Sequence, residues 1–236
     1  MANNSPTLYC CCIADQPPRF TSANSTIVPV LGGAALCSDA EKYKKMGWEL
    51  DDEGQNLSML NDIFGDLTVL YWAWKNKNDS HLGVCQYRRP WNDDEVGNSE
   101  EDVLYVPPPA VFGSVRRQYE DCHSIFPAYQ ISMDLANRGR IPLTPEMVDY
   151  TWNQHLFHGC NMARGPKYLF DKYVSLVFET MVPFYIENNQ LCQSLQGYQR
   201  RSIAFTAERM ITALLLHRDH FFGHGKVKEA NIGFIG

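Results

Sequence analysis

Residues Gly65–Arg89 read GDLTVLYWAWKNKNDSHLGVCQYRR. In the first half, Leu67, Leu70 or Tyr71, and Trp74 recur at spacings of three and four, continuing Leu60, Ile63 and Phe64 upstream. That period predicts a helix with one buried face. Asp66 stands where an N-cap is expected, and Lys75 and Lys77 lie near the C-terminal end, where positive charge suits the helix dipole. In the second half, His81–Gln86 (HLGVCQ) is a short apolar run and predicts a buried strand. Tyr87-Arg88-Arg89 follows at its carboxyl end, ahead of Pro90.

The same alternation extends in both directions. Thr7–Ala14 (TLYCCCIA) predicts a buried strand stopped by Asp15-Gln16-Pro17-Pro18. Ile27–Leu36 contains Pro29 and Gly32-Gly33 and predicts a short strand with a tight backbone passage. Asp51–Asn56 is a polar turn, and Val103–Val106 is a strand halted by Pro107–Pro109. Val115–Ala136 predicts a helix broken near Pro127, and Phe157–Ala163 (FHGCNMA) another buried strand. Pro166–Ile186 predicts a helix that Pro183 ends or kinks, and Ser202–Leu216 a final amphipathic helix. Strands alternating with helices indicate an α/β fold with a mainly parallel sheet. No repeat and no linker divides the chain, so residues 1–236 are expected to form a single domain.

Composition narrows the function classes. The chain has 236 residues, a formal charge of −6, 44% hydrophobic and 20% charged residues. The acidic balance offers no footprint for nucleic acid. No run reaches the roughly 18 apolar residues of a membrane span, and the N-terminus lacks the basic and small-residue features of a secretory signal. A cytoplasmic protein is expected. The eight cysteines include no CxxC pair, so reduced structural thiols are expected.

The residues with the most chemical content are Arg88 and Arg89. Two arginines directly after an apolar strand are costly to bury without anionic partners. Guanidinium forks match phosphate oxygens, and ligands of open α/β sheets sit beyond the carboxyl ends of strands. Pairing with Asp93 or Asp94 is the structural alternative. Tyr71 and Trp72 serve either as core or as a stacking surface for a base or sugar. Glu208 is either half of a structural ion pair or a general base facing a cleft. His217, His220 and His224 form a loose cluster in which His217 and His220 have metal-competent spacing. There is no G-x-G-x-x-G, no G-x-x-x-x-G-K-[ST] and no G-x-S-x-G, which removes the usual support for dinucleotide, ATPase and serine-hydrolase readings.

Three blocks together resemble a known pattern. They are the turn Asp51-Asp52-x-Gly54-x-Asn56-x-Ser58, the helix Leu67-Thr68-x-x-Tyr71-Trp72-x-Trp74-Lys75-Asn76, and the strand end Gly83…Tyr87-Arg88-Arg89. They are similar to those of a bacterial domain-of-unknown-function family that accompanies capsule and lipopolysaccharide synthesis and includes galactofuranosyltransferase-type enzymes. Weaker matches at Pro29, Gly32, Asn161-Met162, Arg201, Phe205 and Glu208-Arg209 extend the similarity across most of the chain. The sequence departs from that pattern at Asp66, where the family has another acid, and at Gln86, where it has histidine. The resemblance implies a GT-A-like (Rossmann-like) fold with a mixed, mainly parallel sheet. It also implies transfer of a sugar from a nucleotide-diphosphate sugar, UDP-sugar favoured, to a hydroxyl of a glycan or glycolipid, with peripheral membrane association open.

Within that implication, Gln86, Tyr87, Arg88 and Arg89 hold the place of the fold's Asp-x-Asp motif and become diphosphate ligands. Glu208, then Asp94, are the candidate catalytic bases. Asp15, Asp51, Asp52, Asn56 and Tyr71 are candidate nucleotide contacts, and His158 and Asn161 candidate sugar or acceptor contacts. No cofactor is certain. A divalent cation, Mn or Mg, has Asp93, Asp94, His217 and His220 as its weak candidate ligands. Two rivals remain at this stage: a nucleotidyltransferase, and a non-catalytic carbohydrate- or nucleotide-binding module on the same fold.

Overall fold

The computed structural model describes residues 6–92, 95, 102–123 and 126–235. The strands are β1 (Thr7–Cys12), β2 (Thr26–Leu31), β3 (Glu49–Leu50), β4 (His81–Gln86), β5 (Leu104–Val106), β6 (Ala110–Val111), β7 (Leu156–Phe157), β8 (Ala163–Pro166) and β9 (Val227–Glu229). The helices are α1 (Ala40–Lys45), α2 (Asn61–Phe64), α3 (Leu67–Asn76), α4 (Val115–His123), α5 (Ala128–Asn137), α6 (Pro145–Asn153), α7 (Lys167–Ser194), α8 (Ser202–Leu216) and α9 (Arg218–Phe222).

The main sheet runs β3-β2-β1-β4-β8-β5-β9, with β6 and β7 paired separately. β1 lies parallel to both β2 and β4, β3 parallel to β2, and β9 parallel to β5. β8 runs antiparallel to β4 and β5. This is the mixed, mainly parallel α/β sheet expected.

β1 is buried from Leu8 to Cys12 because both of its faces are covered. Tyr9 and Cys11 join the large core that contains α3, α7 and α8 residues. Leu8, Cys10 and Cys12 point to a second core with Tyr43, Trp48 and Trp91. All eight cysteines are free thiols. β4 and β8 approach so closely that a Cβ on Gly83 would lie 2.4 Å from Arg164 Cβ, which accounts for a glycine inside a strand.

Two expectations are corrected. Phe157–Ala163 is not one strand: β7 ends at Phe157, and a loop with Cys160 at φ 77° intervenes before β8. α7 does not stop at Pro183. It runs on to Ser194, and its irregular dihedrals fall at Asn188 (φ −124°, ψ 20°). Buried Phe178, Met181, Phe184 and Cys192 hold the segment on both sides of the proline, and that packing outweighs the helix cost of about 3 kcal/mol for an interior proline.

The Asp51 carboxylate organises one end of the sheet. It is fully buried and accepts four hydrogen bonds: from Gly33 N and Ala34 N at 2.9 Å each, Ser58 Oγ at 2.5 Å and Thr68 Oγ1 at 2.7 Å. It thereby joins the end of β2, the turn after β3 and the first turn of α3. The remaining motif residues close the same turn. Asn56 Nδ2 donates to the Asp52 and Gly54 carbonyls. Asn76 accepts from Gln55 N at 3.1 Å and donates to Gln55 O at 2.9 Å. Gly54 sits at φ 66°, and a Cβ there would meet Asn76 Oδ1 at 2.1 Å. Replacing Asp51 by Asn presents an amide donor to groups that are themselves donors. Asp51→Asn is expected to lose about 2–4 kcal/mol, read as a lower urea midpoint at unchanged m.

Candidate functional site

β1, β2 and β4 are parallel, so their carboxyl ends open on one side of the sheet. β1 has β2 on one flank and β4 on the other, which makes its end the topological switch point where α/β folds bind ligands. A cavity of about 480 Å³ lies there. Its floor is the end of β1 (Cys11, Cys12, Ile13) with Gly32 and Asn61. Its other walls come from the Gln86–Arg89 turn, from Asp66, from one stripe of α8 with Arg201 and Tyr198 before it, and from Gln118, Cys122 and His123 of α4.

The Gln86–Arg89 turn is held by backbone bonds from three directions. Tyr87 N donates to Cys11 O at 3.1 Å, Arg19 N donates to Tyr87 O at 3.0 Å, and Ile235 N donates to Arg88 O at 2.9 Å. Arg88 lies 5.0 Å from the Tyr87 ring centre and 5.6 Å from that of Phe234. Arg89 donates to Gln86 Oε1 at 2.6 Å and to Cys160 Sγ at 3.0 Å. Among the described residues, no carboxylate lies within ion-pair distance of Arg88, Arg89 or Arg201, all three of which line the cavity.

Asp66 does not cap α3 through its side chain. Its oxygens instead accept from Asn161 Nδ2 at 2.7 Å and Gln86 Nε2 at 2.5 Å. Gln86 therefore links Asp66 to Arg89 through its two amide ends. Burial raises the Asp66 carboxyl above the ordinary carboxylate range, and the two amide donors and Arg201 and Arg89 oppose that rise.

α8 carries the opposite wall. Arg201 just before it, then Ala204, Phe205 and Glu208, follow at spacings of three and four, so one helical face looks into the cavity. Glu208 Oε1 accepts from Cys160 N at 3.1 Å, and Oε2 accepts from Arg209 at 3.1 Å. The Arg209 side chain has no exposure, whereas that of Glu208 keeps 24%. Arg209 also donates to Phe205 O at 2.7 Å and to Gln118 Oε1. Burial raises the Glu208 carboxyl, with Arg209 opposing the rise. The two alternatives for Glu208 therefore coincide: it is ion-paired and it faces the cavity.

The other candidates from the sequence lie elsewhere. Asp51 and Asn56 build the turn described above. Asp52, beside them, is not on the cavity wall. Asp15 is exposed, at φ 61°, and pairs with Lys42 at 2.9 Å. Tyr71 packs edge-on against Phe178 at 5.0 Å and Trp74 at 5.8 Å. None of these five proposed nucleotide contacts lines the cavity. Asn161 reaches the cavity through Asp66. His158 does not: it is buried, bonds to Pro107 O at 3.0 Å, and lines a separate hollow of about 470 Å³ with His217 and His220. Among the described residues no three His, Cys, Asp or Glu side chains group as metal ligands. Asp93 and Asp94 lie outside the described residues.

The family described as "Domain of unknown function (DUF4422)" matches residues 13–219. The chain belongs to this family. A comparison with curated proteins finds no match. Among solved structures, the apo WbbM bifunctional glycosyltransferase is similar at a TM-score of 0.71 and 21% identity over 98% of this chain. The chain spans 45% of that protein's length. This likeness shows the fold, and the GT-A-like α/β architecture expected for the DUF4422 family member is the one found. No helix among the described residues is long and apolar enough to cross a membrane.

Sequence reasoning missed Arg201, Gln118, His123, Tyr198, Phe205 and Cys160 as cavity residues, and took Asp66 for a cap only. The available signal was on α8: Arg201, Phe205 and Glu208 share a face, while the apolar face used to identify the helix runs beside it. Cys160 was legible only as a thiol. Burial pushes it up to about 11 despite nearby Arg89. Alkylation requires thiolate, so at about pH 7.5 iodoacetamide is expected to label exposed Cys122 while Cys160 stays unmodified until the pH approaches about 11. Peptide mass mapping across pH reads this.

Proposed function

We propose that the protein is a glycosyltransferase that uses a nucleotide-diphosphate sugar, with a uridine diphosphate sugar favoured by the family resemblance. The observation that carries this reading is the set of three arginines, Arg88, Arg89 and Arg201, facing one cavity without carboxylate partners among the described residues. The cavity lies at the carboxyl ends of parallel strands, where open α/β sheets take their ligands, in a fold similar to that of a glycosyltransferase. Guanidinium groups that no carboxylate contacts directly keep donors for an anion with several oxygens.

In this reading the nucleoside lies over the ends of β1 and β2, near Ile13 and Gly32, and the diphosphate lies against the arginines. An acceptor hydroxyl oxygen forms a bond to the anomeric carbon. The bond from that carbon to the diphosphate oxygen breaks, and its electron pair leaves with the nucleotide, where the arginines stabilise the developing charge. The hydroxyl proton passes to Glu208. A carboxylate whose proton affinity is raised by burial is a better base near neutral pH than an exposed one.

Among the described residues, the corner that the fold would use for a divalent cation does not fit one. It presents Arg88 and Arg89, and the Asp66 carboxylate beside them is held by an amide donor on each oxygen. No step is therefore routed through a metal. The acceptor is a glycan or glycolipid, which suits a cytoplasmic enzyme of polysaccharide synthesis that associates peripherally with membranes.

UDP or GDP at millimolar concentration is expected to raise the melting temperature by roughly 5 °C or more, with EDTA present. Arg88→Ala and Arg89→Ala should each weaken nucleotide affinity about tenfold. No shift with any nucleotide overturns the transferase reading, and a shift that appears only with Mn²⁺ overturns the arginine-only site. Glu208→Gln should lower kcat about 10²- to 10⁴-fold with nucleotide affinity retained. Because burial raises the folded pKa of Glu208, wild-type kcat is present above that value and lost as pH falls through it, at a midpoint above the ordinary glutamate value of about 4.3. Full turnover by Glu208→Gln would remove it as the base.

A further inference from the structure

The cavity has two chemically different walls. The first is cationic and lies at the ends of β1 and β4. The second is a packed group of rings. Phe205 stacks on His123 at 3.9 Å and 15°, Tyr198 lies 4.7 Å from Phe205, and Tyr198 and His123 are 5.5 Å apart. His123 is only 5% exposed, and its Nδ1 is buried without a hydrogen-bond partner. Burial pushes His123 down to about 4, so this wall carries no charge near neutral pH. Tyr198 leans on the other two rings yet keeps 62% of its surface exposed. An aromatic ring held in place and left open binds through its face at little entropic cost.

The position of this wall selects its ligand. The nucleoside side of the cavity is the switch point at β1. The aromatic wall reaches α8 through Phe205, one turn from the proposed base: Phe205 and Glu208 are three residues apart, which places their Cβ atoms roughly 5–6 Å from each other. A sugar ring has an apolar C–H face and a rim of hydroxyls. Gln118 and Glu208 line the same cavity and supply polar groups of the kind such a rim requires. Tyr198 and Arg201 also line a second hollow of about 480 Å³ on the outer side, together with Leu36, Asp62 and Arg200. Asp62 and Arg200 pair with each other and present a donor and an acceptor along that hollow. The groove thus continues past the reacting position.

We propose that Tyr198 is the platform of an acceptor subsite for a glycan of at least two sugar units. The reacting ring lies against Tyr198 and Phe205 with a hydroxyl toward Glu208, and its neighbour occupies the outer hollow beside Asp62 and Arg200. This deepens the glycosyltransferase reading above and rests on it.

The test uses the full chain saturated with UDP. Methyl glycosides and disaccharides of galactose, glucose, mannose and N-acetylglucosamine serve as probes, followed by saturation-transfer NMR and titration. At least one glycoside is expected to bind, and its disaccharide about fivefold tighter. Tyr198→Ala should weaken saccharide binding about tenfold, and Tyr198→Phe should restore it. Arg200→Ala should remove only the disaccharide advantage. UDP affinity should be equal in all four proteins, which also reports that the variants fold. The subsite is overturned if no probe binds the UDP-loaded wild type, if Tyr198→Ala binds saccharide like wild type, or if Tyr198→Ala weakens UDP as much as saccharide, which would make the wall a base-stacking surface. Failure of wild type to bind UDP at all defeats the parent reading, whereas UDP binding without saccharide binding defeats this inference alone.

Discussion

A single buried carboxylate, that of Asp51, determines how the rest of the structure meets the cavity. A carboxylate removed from water is tolerated only when its lone pairs are occupied, and the four donors around Asp51 come from three separate parts of the chain. Two are backbone N–H groups just past β2, where Gly33 takes φ 72°. One is Ser58 in the turn after β3. The fourth is Thr68, in the first turn of α3. The same Thr68 hydroxyl accepts from Asn61 at 2.8 Å, and Asn61 also donates to Gly65 O at 2.8 Å. The carboxylate thus orients α2 and the start of α3 relative to the end of β2. The residue immediately before α3 is Asp66, so the geometry of the cavity's own carboxylate follows from the Asp51 contacts one turn away.

From Asp66 the constraint passes through amides rather than charges. Asn161 and Gln86 donate to it, and Gln86 turns its carbonyl to Arg89. The amide is suited to this place because it can donate to an acid and accept from a guanidinium at the same time. A direct Asp66–Arg89 pair would satisfy the arginine internally and leave less of its charge for a ligand. With glutamine between them, the acid is hydrogen-bonded and the guanidinium keeps its remaining donors. The departure from histidine at Gln86 therefore preserves a connection and does not by itself remove the site.

Most of the fold was legible because its strands are covered on both faces or bounded by turns. TLYCCC, HLGVCQ and the final helix at 202–216 were all readable from period and length alone. What misled was the meaning of the motif. Within the family resemblance Asp51 and Asn56 read as ligand chemistry, yet like Gly54 and Asn76 of the same motif each serves a turn or a buried hydrogen bond. A polar residue demanded by the backbone and one demanded by a ligand are indistinguishable until partners are known. Arg88 and Arg89 were legible for the opposite reason: nothing nearby in the sequence satisfied them except Asp93 and Asp94. Arg201, Tyr198 and His123 escaped because they reach the cavity from two segments far apart in sequence, Gly197–Arg201 and the end of α4, and that convergence is tertiary.

The pairing of Glu208 with Arg209 shows how the base proposed above can be both held and available. The Arg209 guanidinium is wholly enclosed and lies 4.5 Å from the Phe157 ring centre and 5.0 Å from that of Tyr119. A buried guanidinium left alone is strongly unfavourable, so it requires Glu208 Oε2, the Phe205 carbonyl and Gln118 as acceptors. Oε1 meanwhile receives the Cys160 N–H, which the left-handed backbone of Cys160 aims at it. Each oxygen keeps lone-pair capacity toward the cavity, since a carboxylate has about four acceptor sites. Arg209 stabilises the ionised form while burial opposes it, and burial wins in direction. The carboxylate is therefore fixed in orientation by groups that never touch the cavity floor. Its readiness to take a proton is set by how much water the cavity excludes, and a sugar ring closing over the adjacent aromatic wall would exclude more.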